Sequence, residues 1–142
     1  MHNNEKIYNE LLDMAKSARD ASYCPYSHFA VGAALLAGSG KIYTGANIEN
    51  ASYTPTVCAE RVAFFRAVLE GEREFVAIAV AGGTYGEPSS PSTAPCGVCR
   101  QVIAEFANGD LKIILDGIDN PTILTLDELL PLRFDKSNLQ GV

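Results

Sequence analysis

At 142 residues the chain is sized for a single domain, 1–142, with enough core to fold without disulfides. Its net charge is -6 and its cations are scattered, Arg61, Arg66 and Arg73 being the closest grouping, which argues against a nucleic-acid polymer and for a small-molecule ligand. No apolar run is long enough to cross a bilayer, and Met1–Lys6 has no basic segment leading into an apolar one, so the expected location is cytoplasmic.

Ile7, Leu11, Met14, Ala15 and Ala18 recur at spacings of three and four among charged residues, which predicts a first helix. Cys24-Pro25-Tyr26 closes it, because the residue before a proline is pushed out of helical geometry. Residues 29–36 read as a buried strand and 41–46 as its hairpin partner, with Gly38-Ser39-Gly40 as the turn. From Cys58 to Leu69 the chain is apolar almost all round, which predicts a helix covered on most sides by the domain core or by a partner subunit. A third strand is expected at 75–81. Gly82 to Ala94 is then rich in Gly, Pro and Ser, a long loop of the kind that is often functional or mobile.

Pro95 opens a further helix carrying Cys96, Cys99, Val102, Ile103 and Phe106, with Gly109 as its expected stop. Strands are expected at 111–115 and 122–124. Thr125-Leu126-Asp127-Glu128 has the form of a capping box opening a short helix through Leu130, stopped by Pro131. The alternation predicts an α/β fold: a three-layer α/β/α arrangement with a central mixed sheet of about five strands and helices on both faces. Strand order is not legible in this pattern.

Four cysteines, Cys24, Cys58, Cys96 and Cys99, without a leader segment point to metal or redox chemistry and away from a disulfide framework. Three of them fall in two clusters, Cys58-Ala59-Glu60-Arg61 and Pro95-Cys96-Gly97-Val98-Cys99-Arg100, each where a helix should begin. A helix N-terminus carries partial positive charge and favours thiolate over thiol. Cys96 and Cys99, three residues apart, share one face of a first turn, and Cys58 joins them from the other helix. Three protein ligands plus water is the pattern of a catalytic zinc site, whereas structural sites usually use four. Glu60, two residues after Cys58, is placed to act as general base and then general acid. Arg61 and Arg100 adjoin the ligands and are expected to hydrogen-bond sulfur, offsetting the charge of three thiolates. Taken alone, the Cys96–Cys99 pair equally fits a redox dithiol or a structural zinc knuckle. Cys24 reads as a small buried side chain, and His28 as structural or at a pocket rim.

The pattern Cys-x-Glu followed by Pro-Cys-x-x-Cys resembles the signature of zinc deaminases, in their all-cysteine form. The likeness extends through Tyr23-Cys24-Pro25-Tyr26-Ser27-His28-Phe29, Val31–Leu35, Asn47-Ile48-Glu49-Asn50-Ala51, Cys99–Val102 and Glu128–Pro131 with Phe134. Over nearly its whole length the chain is similar to the small homotetrameric cytidine deaminases. That resemblance implies zinc-dependent hydrolytic deamination of cytidine and deoxycytidine to uridine and deoxyuridine with release of ammonia, a step of pyrimidine salvage. It implies Zn2+ on Cys58, Cys96 and Cys99, and Glu60 as the catalytic proton carrier. At matching positions it implies that Asn47 and Glu49 bind the ribose hydroxyls, Phe29 packs on the pyrimidine, and the Ala59 amide binds the base carbonyl. Phe134 would reach a neighbouring subunit's site, and Tyr53 is a further neighbour-facing candidate.

The chain departs from that pattern at Ala46, where relatives often carry cysteine, at Thr54–Val57, and in the length of the 82–94 loop. The residues by themselves allow plainer readings. Phe29 could be core, Phe134 could close over the domain's own core, and Asn47 and Glu49 could be a polar strand end, although alternation puts them on one face as a diol-gripping pair requires. Two other functions compete: a deaminase for another aminopyrimidine, and a zinc-stabilised binding module. The latter needs a fourth ligand that Cys24, His2 and His28 are not placed to supply.

Overall fold

In the computed structural model, which describes residues 2–107 and 109–139, helix α1 (His2–Ala18) runs into a 3-10 turn, Arg19–Ala21. A hairpin follows, β1 (Phe29–Ala37) and β2 (Ile42–Ala46), and then α2 (Ala59–Leu69) and β3 (Phe75–Thr84). The chain continues through α3 (Gly97–Phe106), β4 (Lys112–Leu115), β5 (Thr122–Thr125) and the short α4 (Leu126–Leu129). The strands form one sheet in the order β2-β1-β3-β4-β5, antiparallel except where β3 pairs parallel with β4. A parallel pair needs a crossover, and α3 supplies it. The three-layer α/β/α architecture with a mixed five-stranded sheet is thus the one observed.

Strand alternation sorts the sheet's side chains between the two helical layers. Ala34, Ala77, Ala79, Ala81 and Ile114 meet Leu11, Leu12 and Ala15 of α1. On the other face Ala33, Leu35, Ile78, Val80, Ile113 and Leu115 meet Ala63, Phe64 and Ala67 of α2 and Ile103 of α3. Phe64 is fully buried and packs against Phe75 and Phe106, with ring centroids 5.0 and 5.8 Å away, so its truncation to alanine should cost about 3–5 kcal/mol. Two glycines let the helices come this close. A Cβ on Gly32 would stand 2.0 Å from the Ala15 carbonyl oxygen, and one on Gly45 would stand 2.3 Å from that of Ala59. The second contact seats the first turn of α2 on β2, which sets the depth of Ala59 and Glu60.

The buried stripe of α1 is Leu11, Leu12 and Ala15, with Arg19 below and Tyr8 beside it, while Ile7 and Met14 are exposed. Both stripes obey helical spacing, and the sheet selects the one rotated by a residue. Helix α2 is not covered on most sides by its own chain: the sheet takes one flank, and Phe65 and Leu69 face solvent. Helix α3 ends at Phe106, before Gly109, because Ala107 turns extended (ψ 131°) to lead toward β4. The capping box forms as expected, with Thr125 and Glu128 bonded reciprocally.

The loop after β3 is tied down at several points. Ser90 N–H donates to the Gly82 carbonyl and Ser92 N–H to that of Asp116, both at 2.7 Å. Ser89 adds a hydroxyl bond to the Asp116 carboxylate. Among the described residues no helix is long and apolar enough to cross a membrane.

Candidate active site

Cys58 and Cys96 are the N-caps of α2 and α3, and neither side chain bonds back to its own helix. Both sulfurs are therefore free to turn toward a common point, and Cys99, one turn into α3, turns there too. The three sulfurs lie within 4.8 Å of one another, with Cys58 and Cys96 3.6 Å apart. Two sulfurs bound at about 2.3 Å to one tetrahedral zinc would stand about 3.8 Å apart, so this donor set fits the ion. The spacing is far beyond a disulfide, and all four cysteines are free.

Glu60, the second residue of α2, is 3% exposed. Burial raises its carboxyl to about 7, and the charge on Cys58 adds to the effect, against bonds from its own amide and from Cys99. Cys58 is lowered to about 5, chiefly by the bond from the Cys99 thiol, with Arg61 and Cys96 helping against burial. Cys99 moves the other way, held up first by that same bond and then by burial. Arg61 sets Nη2 3.6 Å from Cys58 Sγ and 3.4 Å from the Thr56 carbonyl. Arg100 does not reach sulfur. Its guanidinium donates to the Pro95 and Leu129 carbonyls at 2.8 and 2.6 Å, tying α3 to α4.

Three of the residues expected around a nucleoside, Phe29, Asn47 and Glu49, meet at the segment leading into β1. Phe29 opens that strand and is 40% exposed. Asn47, just past β2, is buried. Its Oδ1 accepts from Val31 N–H at 2.8 Å and Ser22 O–H at 2.5 Å, while Nδ2 donates to the Phe29 carbonyl at 2.8 Å. Among the described residues, one N–H of that amide has no partner. Glu49 accepts from the Tyr26 and Ser27 amides at 2.9 and 3.1 Å and from the Ser27 hydroxyl, and that hydroxyl holds its carboxyl below the ordinary value.

Glu49, Tyr26, Ser27, Tyr53 and Thr56 line a cavity of about 380 Å³. Thr56 connects it to the sulfur cluster through Arg61. Ala59 is fully buried at the first position of α2. Phe134 is 63% exposed and does not close over the domain's own core, and Gln101 of α3 holds its carbonyl at 2.9 Å.

Residues 5–115 match the model of the cytidine and deoxycytidylate deaminase zinc-binding region. The chain belongs to that family. A cytidine deaminase from Sporosarcina psychrophila is 50% identical over 131 residues, 92% of this chain and 93% of the relative. One from Halalkalibacterium halodurans is 46% identical over 130 residues, 91% and 95% of the two chains. The crystal structure of a cytidine deaminase from Burkholderia pseudomallei superposes with a TM-score of 0.79 at 45% identity, covering 89% of this chain and 98% of that one. Membership makes the chain a hydrolytic deaminase.

For a deaminase of this family, three further residues gain meaning that sequence reading missed. Ser27 clamps the Glu49 carboxylate and Ser22 the Asn47 amide. Ser27 lies inside the Tyr23–Phe29 motif, which was the available signal. Ser22 carries none, since a serine after a helix is common. The third is Arg19, whose partners lie far away in sequence.

Proposed function

We propose that this single-domain enzyme, 1–142, deaminates cytidine and deoxycytidine to uridine and deoxyuridine with Cys58, Cys96 and Cys99 holding zinc. The observation that carries this reading is a buried carboxyl, Glu60, set against three converging sulfurs. Zinc held there supplies the Lewis acidity that makes water a nucleophile near neutral pH. Glu60 takes one proton from that water and passes it to the ring nitrogen beside the amino-bearing carbon. The water oxygen bonds to that carbon. Glu60 then delivers the second proton to the amino group, the C–N bond breaks and ammonia leaves, so that cytidine and water balance uridine and ammonia. Burial, which raises the Glu60 carboxyl above its ordinary value, favours its holding a proton between the two transfers.

Phe29 packs on the base, the Ala59 amide binds its carbonyl, and Asn47 and Glu49 hold the sugar hydroxyls. The exposed Phe65 and Leu69 of α2, together with Phe134, support a homotetramer in which Phe134 serves a neighbour's site. Four cysteines without a disulfide suit a reducing cytoplasm, and the activity suits pyrimidine salvage. The test is ultraviolet-monitored conversion of cytidine by the zinc-loaded protein beside Glu60→Gln. Turnover is expected to fall by about 100-fold or more in the variant, with zinc retained. A folded, zinc-replete protein that leaves cytidine unchanged would turn the reading toward another aminopyrimidine.

A further inference from the structure

We propose that Arg19 is a positioning residue for substrate binding, one that locks the strand end bearing Phe29 to the loop that follows β3. Arg19 is only 7% exposed and, among the described residues, makes no ion pair. Its donors go instead to three backbone carbonyls: Nε to Ala30 at 2.9 Å, Nη1 to Glu87 at 2.9 Å and Nη2 to Thr84 at 3.1 Å. These carbonyls belong to β1, to the loop, and to the end of β3. A planar guanidinium can address all three at once, and a lysine ammonium has neither the fork nor the reach.

The clasp bears directly on Phe29. Ala30 is its chain neighbour, and Thr84 is its cross-strand partner. The next amide, Tyr85 N–H, bonds the His28 carbonyl at 2.8 Å, so strand start and loop are joined on both sides of the guanidinium. Close approach is built in, since a Cβ on Gly83 would stand 3.0 Å from Arg19 Nη2 and from the Pro88 carbonyl oxygen. With the clasp gone, Phe29 loses the fixed wall position that a flat ring needs in order to stack. The inference rests on the reading of Phe29 as the wall against the base.

Arg19→Met keeps the apolar stem and removes every donor. On zinc-loaded protein its KM for cytidine should rise about tenfold, the scale of one or two charged hydrogen bonds, with kcat within about threefold. Peptides covering 29–31 and 84–87 should exchange amide hydrogen faster together. Gly83→Ala should shift both readouts the same way by less, and Arg19→Lys is read in the same assays if the methionine variant does not fold. Unchanged KM, or faster exchange confined to the loop, overturns the proposal, because a merely structural role would lower the melting temperature alone. Phe29→Leu separates the two ideas: an unchanged KM there removes Phe29 from the base contact, whatever Arg19 does. If the wild type leaves cytidine untouched, the exchange experiment still decides whether Arg19 couples the two segments.

Discussion

The sulfur half of the site and the half proposed to hold the nucleoside are built differently. Cys58, Glu60, Cys96 and Cys99 sit on the first turns of two helices packed against the sheet, and Cys99 and Glu60 are buried. All of its groups come from one chain. The residues proposed for the nucleoside half lie largely outside regular structure, on the approach to β1, the exit from β2 and the C-terminal tail. Tyr53 and Phe134 stand 71% and 63% exposed, and His28 and Tyr53 hold left-handed angles, φ 57° and 60°, that non-glycine residues adopt only when their surroundings enforce them. The difference teaches where each property should reside. Changes in the first half should act on metal and turnover, and changes in the second on affinity and on assembly.

The largest effect should come from Cys99→Ser. The variant removes a buried sulfur from a three-ligand set, and zinc affinity should fall by more than about 100-fold, beyond the usual cost of losing a supporting contact. Elemental analysis of dialysed protein and the cytidine assay should fail together. Stoichiometric zinc in an active variant would break the picture of a self-contained metal half.

The metal-free protein offers a second test through Glu60. Its carboxyl is raised from 4.5 to about 7 by burial, so the folded state binds a proton that the unfolded state has released between those pH values. The stabilisation this provides is complete below pH 4.5 and is lost as pH rises through 7, amounting to about 3 kcal/mol. Cys58, lowered to about 5, tilts the curve the opposite way, with stability lost as pH falls through 5. The informative quantity is therefore the difference from Glu60→Gln. In urea melts of chelated protein the variant should gain on the wild type from pH 5 to 8, and a flat difference would mean that Glu60 is hydrated.

These two residues also mark what was legible beforehand. Cys96 and Cys99 could be grouped from spacing, because local helical geometry puts them on one turn, and Cys58 and Glu60 fall together at the start of another helix. That the two turns meet rested on the three-ligand pattern and the family resemblance. Arg100 shows the limit: adjacency to Cys99 suggested a bond to sulfur, yet its fork turns to the Pro95 and Leu129 carbonyls. Ile7 and Met14 fit the α1 stripe as well as Tyr8 and Leu12 do, and only the sheet decides between them. Arg19 lay beyond reach altogether. Its partners are 11, 65 and 68 residues away and are backbone carbonyls, which no side-chain pattern records. The order of the strands was hidden for the same reason, since β1 lies between β2 and β3 and β3 turns to pair with β4.

In the nucleoside half, Glu49→Gln should leave zinc and kcat nearly unchanged and raise KM about tenfold, the scale of one charged hydrogen bond. Ser27 keeps the carboxylate ionised, so the effect should be level across neutral pH. A fall in kcat with KM unchanged would move Glu49 from sugar binding to the chemistry.

The smallest effect, and the sharpest for the comparison, belongs to Phe134. Truncating its ring should raise KM about two- to tenfold if the ring packs on a substrate. Co-assembly decides whose substrate that is. In mixtures of Glu60→Gln and Phe134→Ala chains, every working site carries Glu60 and therefore belongs to a chain lacking its own Phe134. If Phe134 serves its own chain, all residual turnover keeps the raised KM. If it serves a neighbour, mixed assemblies return sites with the wild-type KM in proportion to the Glu60→Gln chains added. The second result would make the nucleoside half a property of the assembly, and the first would return Phe134 to the site of its own chain.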